Sequence, residues 1–177
     1  MNRVRRLVFL SLLVAMATAV NYLEGLMPLL VPAFPGAKLG LANVFSLFAL
    51  VSLGAADAFT VVVVRCLLVA AVWGQPVSLA YSLAGGLLSM LAMWALTRLF
   101  KKRLSLYGVS AAGAFFHNLG QLCVAAIIMQ SGYVFGYLPL MTAVAVPTGL
   151  FVGAATFLVK KAVDKTDLLK GAKKEAD

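Results

Sequence analysis

Arg65 is the residue that most needs an explanation. It sits near the middle of an apolar stretch, residues 55–73, where a charge costs roughly 2.5–3.5 kcal/mol on membrane-insertion scales. A group in that position must face a protein interior and find a partner. Glu24 is the obvious carboxylate for it, and Asn21 shares a helix face with Glu24 at a spacing of three. His117, Asn118 and Gln121 group in a second apolar stretch at i, i+1 and i+4, and Lys38 and Asn43 flank the start of a third. Gln75 and Tyr81 lie near a turn on the same side. The chemistry open to such a set is recognition rather than catalysis: amides, an imidazole, two cations and one carboxylate converging on a small polar molecule inside an apolar bundle. The same residues could instead hydrogen-bond helices to one another, with Glu24 and Arg65 as a structural ion pair. Both readings are open from the sequence.

The elements that must position these groups are membrane spans. The chain has 177 residues, 63% hydrophobic and 12% charged, against about 45–50% apolar and about 25% charged in soluble domains. At about 20 residues per span the length accommodates six. The spans expected are residues 7–30, 39–53, 55–73, 78–100, 109–129 and 138–159, with the second short for a crossing and Pro139 and Pro147 bending the sixth. These make one transmembrane domain, 1–160, followed by a charged cytoplasmic tail, 161–177. The start imitates a secretory signal, with Ala17-Thr18-Ala19 as a cleavage-like site, but the apolar run continues to Leu30, long enough to span. The fold class expected is an all-α integral membrane bundle with both termini in the cytoplasm.

Charge supports the orientation. Of the 15 Lys and Arg, three precede span one, four (Arg98, Lys101, Lys102, Arg103) are at the connection between spans four and five, and six run from Lys160 to the end of the chain. With six spans all 13 fall on one side, which the positive-inside rule makes cytoplasmic. An odd number of spans breaks this segregation. On this topology the polar candidates map to the outer half of the bundle. The net charge of +9 therefore reflects membrane anchoring, and nucleic acid is not an expected partner. Asp57, at the cytoplasmic start of span three, reads as a helix-terminal carboxylate complementing the dipole.

Several chemistries lack their residues. There is no phosphate-binding Walker sequence, so any ATP hydrolysis belongs to partner subunits. There is one His, and four of the six acidic residues are in the tail, which leaves no aspartate-rich pair for magnesium and a diphosphate. Cys66 and Cys123 stand apart in apolar segments and form no metal-ligand pattern. No metal, no cofactor and no catalytic activity of the chain alone are expected. Two stripes of small residues, Ser11/Ala15/Ala19 in span one and Gly149/Gly153 in span six, allow close helix approach, within the chain or to a partner.

The run Pro35-Gly36-Ala37-Lys38-Leu39-Gly40-Leu41-Ala42-Asn43 resembles the Gx transporter family, often labelled heptaprenyl diphosphate synthase component I. With the Ala15/Ala19 stripe, Gly54-Ala55-Ala56-Asp57 opening span three, and six spans, the chain also resembles the substrate-binding (S) component of energy-coupling factor (ECF) transporters. That resemblance implies a six-helix protein that captures a vitamin-like small molecule. It would dock on a transmembrane T component through Ser11, Ala15 and Ala19, and partner ATPases would drive release. The substrate-binding set expected is Asn21, Glu24, Lys38, Asn43, Arg65, His117, Asn118 and Gln121. The alternatives are an accessory subunit of a heptaprenyl diphosphate synthase, or an accessory protein of a quinone-linked electron-transfer system.

Overall fold

A computed structural model describes residues 3–26, 38–100 and 104–165. Helices α1 (Arg3–Leu26), α2 (Asn43–Ser52), α3 (Ala55–Trp73), α4 (Pro76–Phe100), α5 (Leu106–Met129) and α6 (Leu138–Asp164) follow in order, with a 3₁₀ segment, Gly132–Tyr137, before α6. Five are long and apolar enough to cross a membrane, α6 being counted together with the 3₁₀ segment. The chain is an all-α, multi-pass membrane bundle. The proline-rich connection, the Lys101–Arg103 cluster and residues 166–177 lie outside the described residues. Helix α6 runs on to Asp164, so residues 161–164 extend the last helix. Pro139 falls in its first turn, where a missing N–H costs nothing, and the helix is continuous through Pro147.

Small residues set the helix spacing. A Cβ on Gly120 of α5 would lie 2.6 Å from the Ala84 carbonyl oxygen of α4, and one on Gly149 of α6 would lie 2.6 Å from Ala111 Cα of α5. The Gly149/Gly153 stripe thus serves packing inside the chain. The stripe of α1 does not: Ser11, Ala15 and Ala19 are exposed, while Leu13, Val14, Ala17, Asn21 and Glu24 face the bundle.

Arg6 binds Asp57 through two 2.9 Å hydrogen bonds, from Nε and Nη2. This bidentate pair places the starts of α1 and α3 at the same end of the bundle. The short connections between α3 and α4, between α4 and α5, and through the 3₁₀ segment then bring Arg98 of α4 and Lys160 and Lys161 of α6 to that same end. The positive-inside rule assigns it to the cytoplasm.

The second span departs from expectation. Residues 39–42 are not helical, and α2 has 10 residues, about 15 Å at 1.5 Å per residue. That is half of a hydrocarbon core of about 30 Å. Its starting residue Asn43 touches Arg65 and Ser89, and Gly40 lies against His117. Arg65, Ser89 and His117 each stand near the middle of their own helix. The α2 helix therefore begins at half depth and runs to the cytoplasmic end, and residues 38–42 lead into it. Hydropathy could not reveal this, because Leu39, Leu41 and Ala42 are apolar whether or not their backbone is helical.

Candidate functional site

A half-depth helix start exposes backbone N–H groups where no water can satisfy them. Glu24 of α1 supplies the answer. Its carboxylate accepts from Leu41 N at 2.8 Å and from Ala42 N at 3.5 Å. Asn43, the next residue, turns its side chain to the neighbouring helices: Oδ1 accepts from Arg65 Nη2 at 2.7 Å, and Nδ2 donates to Ser89 Oγ at 3.4 Å. Lys38, just before, donates from Nζ to Asn21 Oδ1 at 2.7 Å. Its carbonyl accepts from Gln121 Nε2 at 3.2 Å, and the same Gln121 nitrogen lies 3.0 Å from His117 Nε2. Because that amide nitrogen donates, His117 Nε2 accepts, and the ring proton sits on Nδ1.

The expected direct ion pair between Glu24 and Arg65 is absent among the described residues. The carboxylate is spent on the α2 backbone, and a neutral amide, Asn43, holds the guanidinium. Seven of the eight expected residues are nonetheless brought together: Asn21, Glu24, Lys38, Asn43, Arg65, His117 and Gln121. They meet between half depth, where Arg65, Asn43 and His117 stand, and the outer end of α1, whose last turns carry Asn21 and Glu24; the short α2 is what brings Asn43 down. Asn118 leaves the group, donating to the Met141 carbonyl of α6 at 2.9 Å. Adjacent helical residues point about 100° apart, so Asn118 could not share the face of His117. Tyr81 is buried in an apolar cluster with Leu122 and Met141, and Gln75 is exposed.

Three residues outside the expected binding set complete the site. Gly40, Ala42 and Ser82 line its cavity along with Asn21, Glu24, Lys38, Arg65 and His117. Gly40 has φ +83°, and a Cβ there would lie 3.1 Å from Asn43 Nδ2 and 3.2 Å from His117 Cδ2. The glycine in Lys38-Leu39-Gly40 thus allows both the turn and the close approach. Gly85 plays the second part for α4, since a Cβ there would lie 3.0 Å from His117 Nδ1. The Gly85-Gly86 pair was the available signal for that contact.

The cavity is about 10 Å³, room for one water. Three polar atoms in and around it are buried without a hydrogen-bond partner among the described residues: Arg65 Nε and Nη1, and Gln121 Oε1. Arg65 is only 2% exposed. Buried polar atoms in native proteins are almost always satisfied, so three in one cluster, two of them on a guanidinium, mark a place built for something more than helix packing. No group of three or more His, Cys, Asp or Glu that could hold a metal ion occurs among the described residues.

A family model described as heptaprenyl diphosphate synthase component I matches residues 13–159. The chain belongs to that family. Comparison with curated proteins and with solved structures finds no match. The matched region of this family member takes in α2 to α5 whole and every residue of the polar cluster.

Proposed function

We propose that this member of the heptaprenyl diphosphate synthase component I family is a substrate-capture component, of the S type, in an ECF-type importer for a vitamin-like small molecule. The observation that carries the reading is the interrupted second crossing, with unsatisfied polar groups gathered at its half-depth start. Secondary transporters place substrate at the bilayer midplane on such discontinuous helices. In this reading the exposed Ser11/Ala15/Ala19 face of α1 docks on a transmembrane T component, and cytoplasmic ATPases supply the energy. The 10 Å³ cavity holds no vitamin, so the site described is the closed one. Ligand enters when a wall moves, and residues 38–42 are the non-helical wall among those described.

The family's description names a synthase component, which keeps an accessory role in prenyl diphosphate synthesis as the second reading. The carboxylates give it little support. Glu24 is committed to the Leu41 and Ala42 amides, and Asp57 to Arg6 at the cytoplasmic end, so neither is left to help hold a metal and a diphosphate. The test is native mass spectrometry of protein purified with its membrane partners. A co-purified water-soluble compound, lost in Arg65→Leu protein that still inserts, supports capture. A co-purified prenyl or quinone species, with a prenyltransferase as partner, overturns it in favour of the second reading.

A further inference from the structure

The charges around the cavity do not balance, and the imbalance has a chemical direction. Arg65 and Lys38 both line it, with Glu24 as the single carboxylate. Both oxygens of Glu24 are taken by backbone N–H groups at the start of α2, and they compensate the positive end of that helix. Neither cation forms a salt bridge with it among the described residues. Among the described residues the hydrogen-bond acceptor on Arg65 is the Asn43 amide oxygen, and those on Lys38 are the amide and carbonyl oxygens of Asn21.

The unsatisfied atoms point the same way. Two are guanidinium donors, Arg65 Nε and Arg65 Nη1; His117 Nδ1 lies against the Gly85 backbone and is not counted with them. One is an acceptor, Gln121 Oε1. A neutral polyol or amide ligand would want donors and acceptors in similar number. A carboxylate or phosphate accepts only, and a buried guanidinium is the residue suited to it.

We infer that the captured molecule carries an anionic group, a carboxylate or a phosphate, which is seated on Arg65 and Lys38. The assignment rests on the capture reading above and narrows its substrate class to anions. Half depth in the bundle favours a solute over a lipid headgroup, which stays near the interface.

The test uses full-length protein in nanodiscs of neutral phosphatidylcholine. It is titrated at constant ionic strength with inorganic phosphate, with succinate and with glycerol, while thermal unfolding is followed. A saturable rise in Tm with phosphate or succinate, and none with glycerol, is expected. The apparent Kd should weaken at least about tenfold in Arg65→Gln, the equivalent of one charge-assisted hydrogen bond, with a smaller loss in Lys38→Gln and partial retention in Arg65→Lys. A repeat in phosphatidylglycerol nanodiscs separates the sources: a headgroup would raise Tm without added anion and block the response to phosphate. No saturable response to either anion in neutral nanodiscs and no rise in phosphatidylglycerol would overturn the assignment. So would an equal response in Arg65→Gln. A neutral co-purified molecule lost in Arg65→Gln would sink the anion while leaving capture intact. Anion binding at Arg65 without uptake by a reconstituted transporter would sink capture while leaving the anion.

Discussion

Replacing Asn43 by Leu should destabilise this protein more than replacing Arg65, the charged residue it serves. Asn43 Oδ1 accepts from Arg65 Nη2 at 2.7 Å, and the other two guanidinium nitrogens have no hydrogen-bond partner among the described residues. Hydrogen bonds to charged groups contribute about 1.5–3 kcal/mol, whereas hydrogen bonds between membrane helices average about 0.6 and reach about 1.7. The low average reflects polar groups that find other partners. Arg65 is 2% exposed and surrounded by donors, so the upper range applies, and Asn43→Leu should cost about 2 kcal/mol. Arg65→Met loses the same bond but also removes a charge costing roughly 2.5–3.5 kcal/mol at mid-span. Its net effect should be neutral or stabilising by about 1 kcal/mol. The double variant should match Arg65→Met rather than the sum of the two, a coupling of about 2 kcal/mol. Reversible unfolding in mixed micelles, followed by circular dichroism, measures all three. Additivity, or an Arg65→Met protein less stable by more than 1 kcal/mol on the scale of these estimates, would refute the view that Arg65 is retained against stability.

Three further predictions follow from particular contacts. Gly40→Ala combines a left-handed backbone, φ +83°, costing about 1–2 kcal/mol, with Cβ contacts on Asn43 and His117, and it should lower stability by about 1–3 kcal/mol in the same unfolding assay. Gly120→Ala and Gly149→Ala place a methyl 2.6 Å from backbone of the next helix, so the helices must separate; overpacking of this kind costs about 1–3 kcal/mol and should appear as a lower Tm. Ser11→Leu and Ala19→Leu lie on the exposed face of α1 and should change stability by less than about 0.5 kcal/mol, yet abolish co-purification of a T component if that face is where it docks.

Most of the bundle was legible because lipid permits few solutions. Apolar runs of sufficient length gave α1, α3, α4, α5 and α6, and the segregation of basic residues gave their direction. The residues of the site were legible for a related reason: Arg65, Glu24, Asn21 and His117 are costly in an apolar span and had to converge. The pairings within that set were not legible. Spacing along one helix says which residues share a face, but Asn118 shows that even this fails for adjacent positions. Spacing says nothing about how deep a neighbouring segment reaches.

The depth of α2 decides the rest, and it links the two acceptors that seemed mismatched. A helix that starts at half depth leaves Leu41 and Ala42 N–H groups in a place where only protein can accept from them. Glu24, which on charge alone belongs with Arg65, is closer to those amides and is consumed by them. The break in the helix therefore commits that carboxylate to backbone amides, and among the described residues Asn43 is the hydrogen-bond acceptor left for Arg65. Had the second span been a full helix, Glu24 would have had no backbone to serve and could have paired with the guanidinium. The interrupted crossing and the uncompensated cation are thus one feature, and its cost in stability is the strongest physical argument that a ligand completes the site.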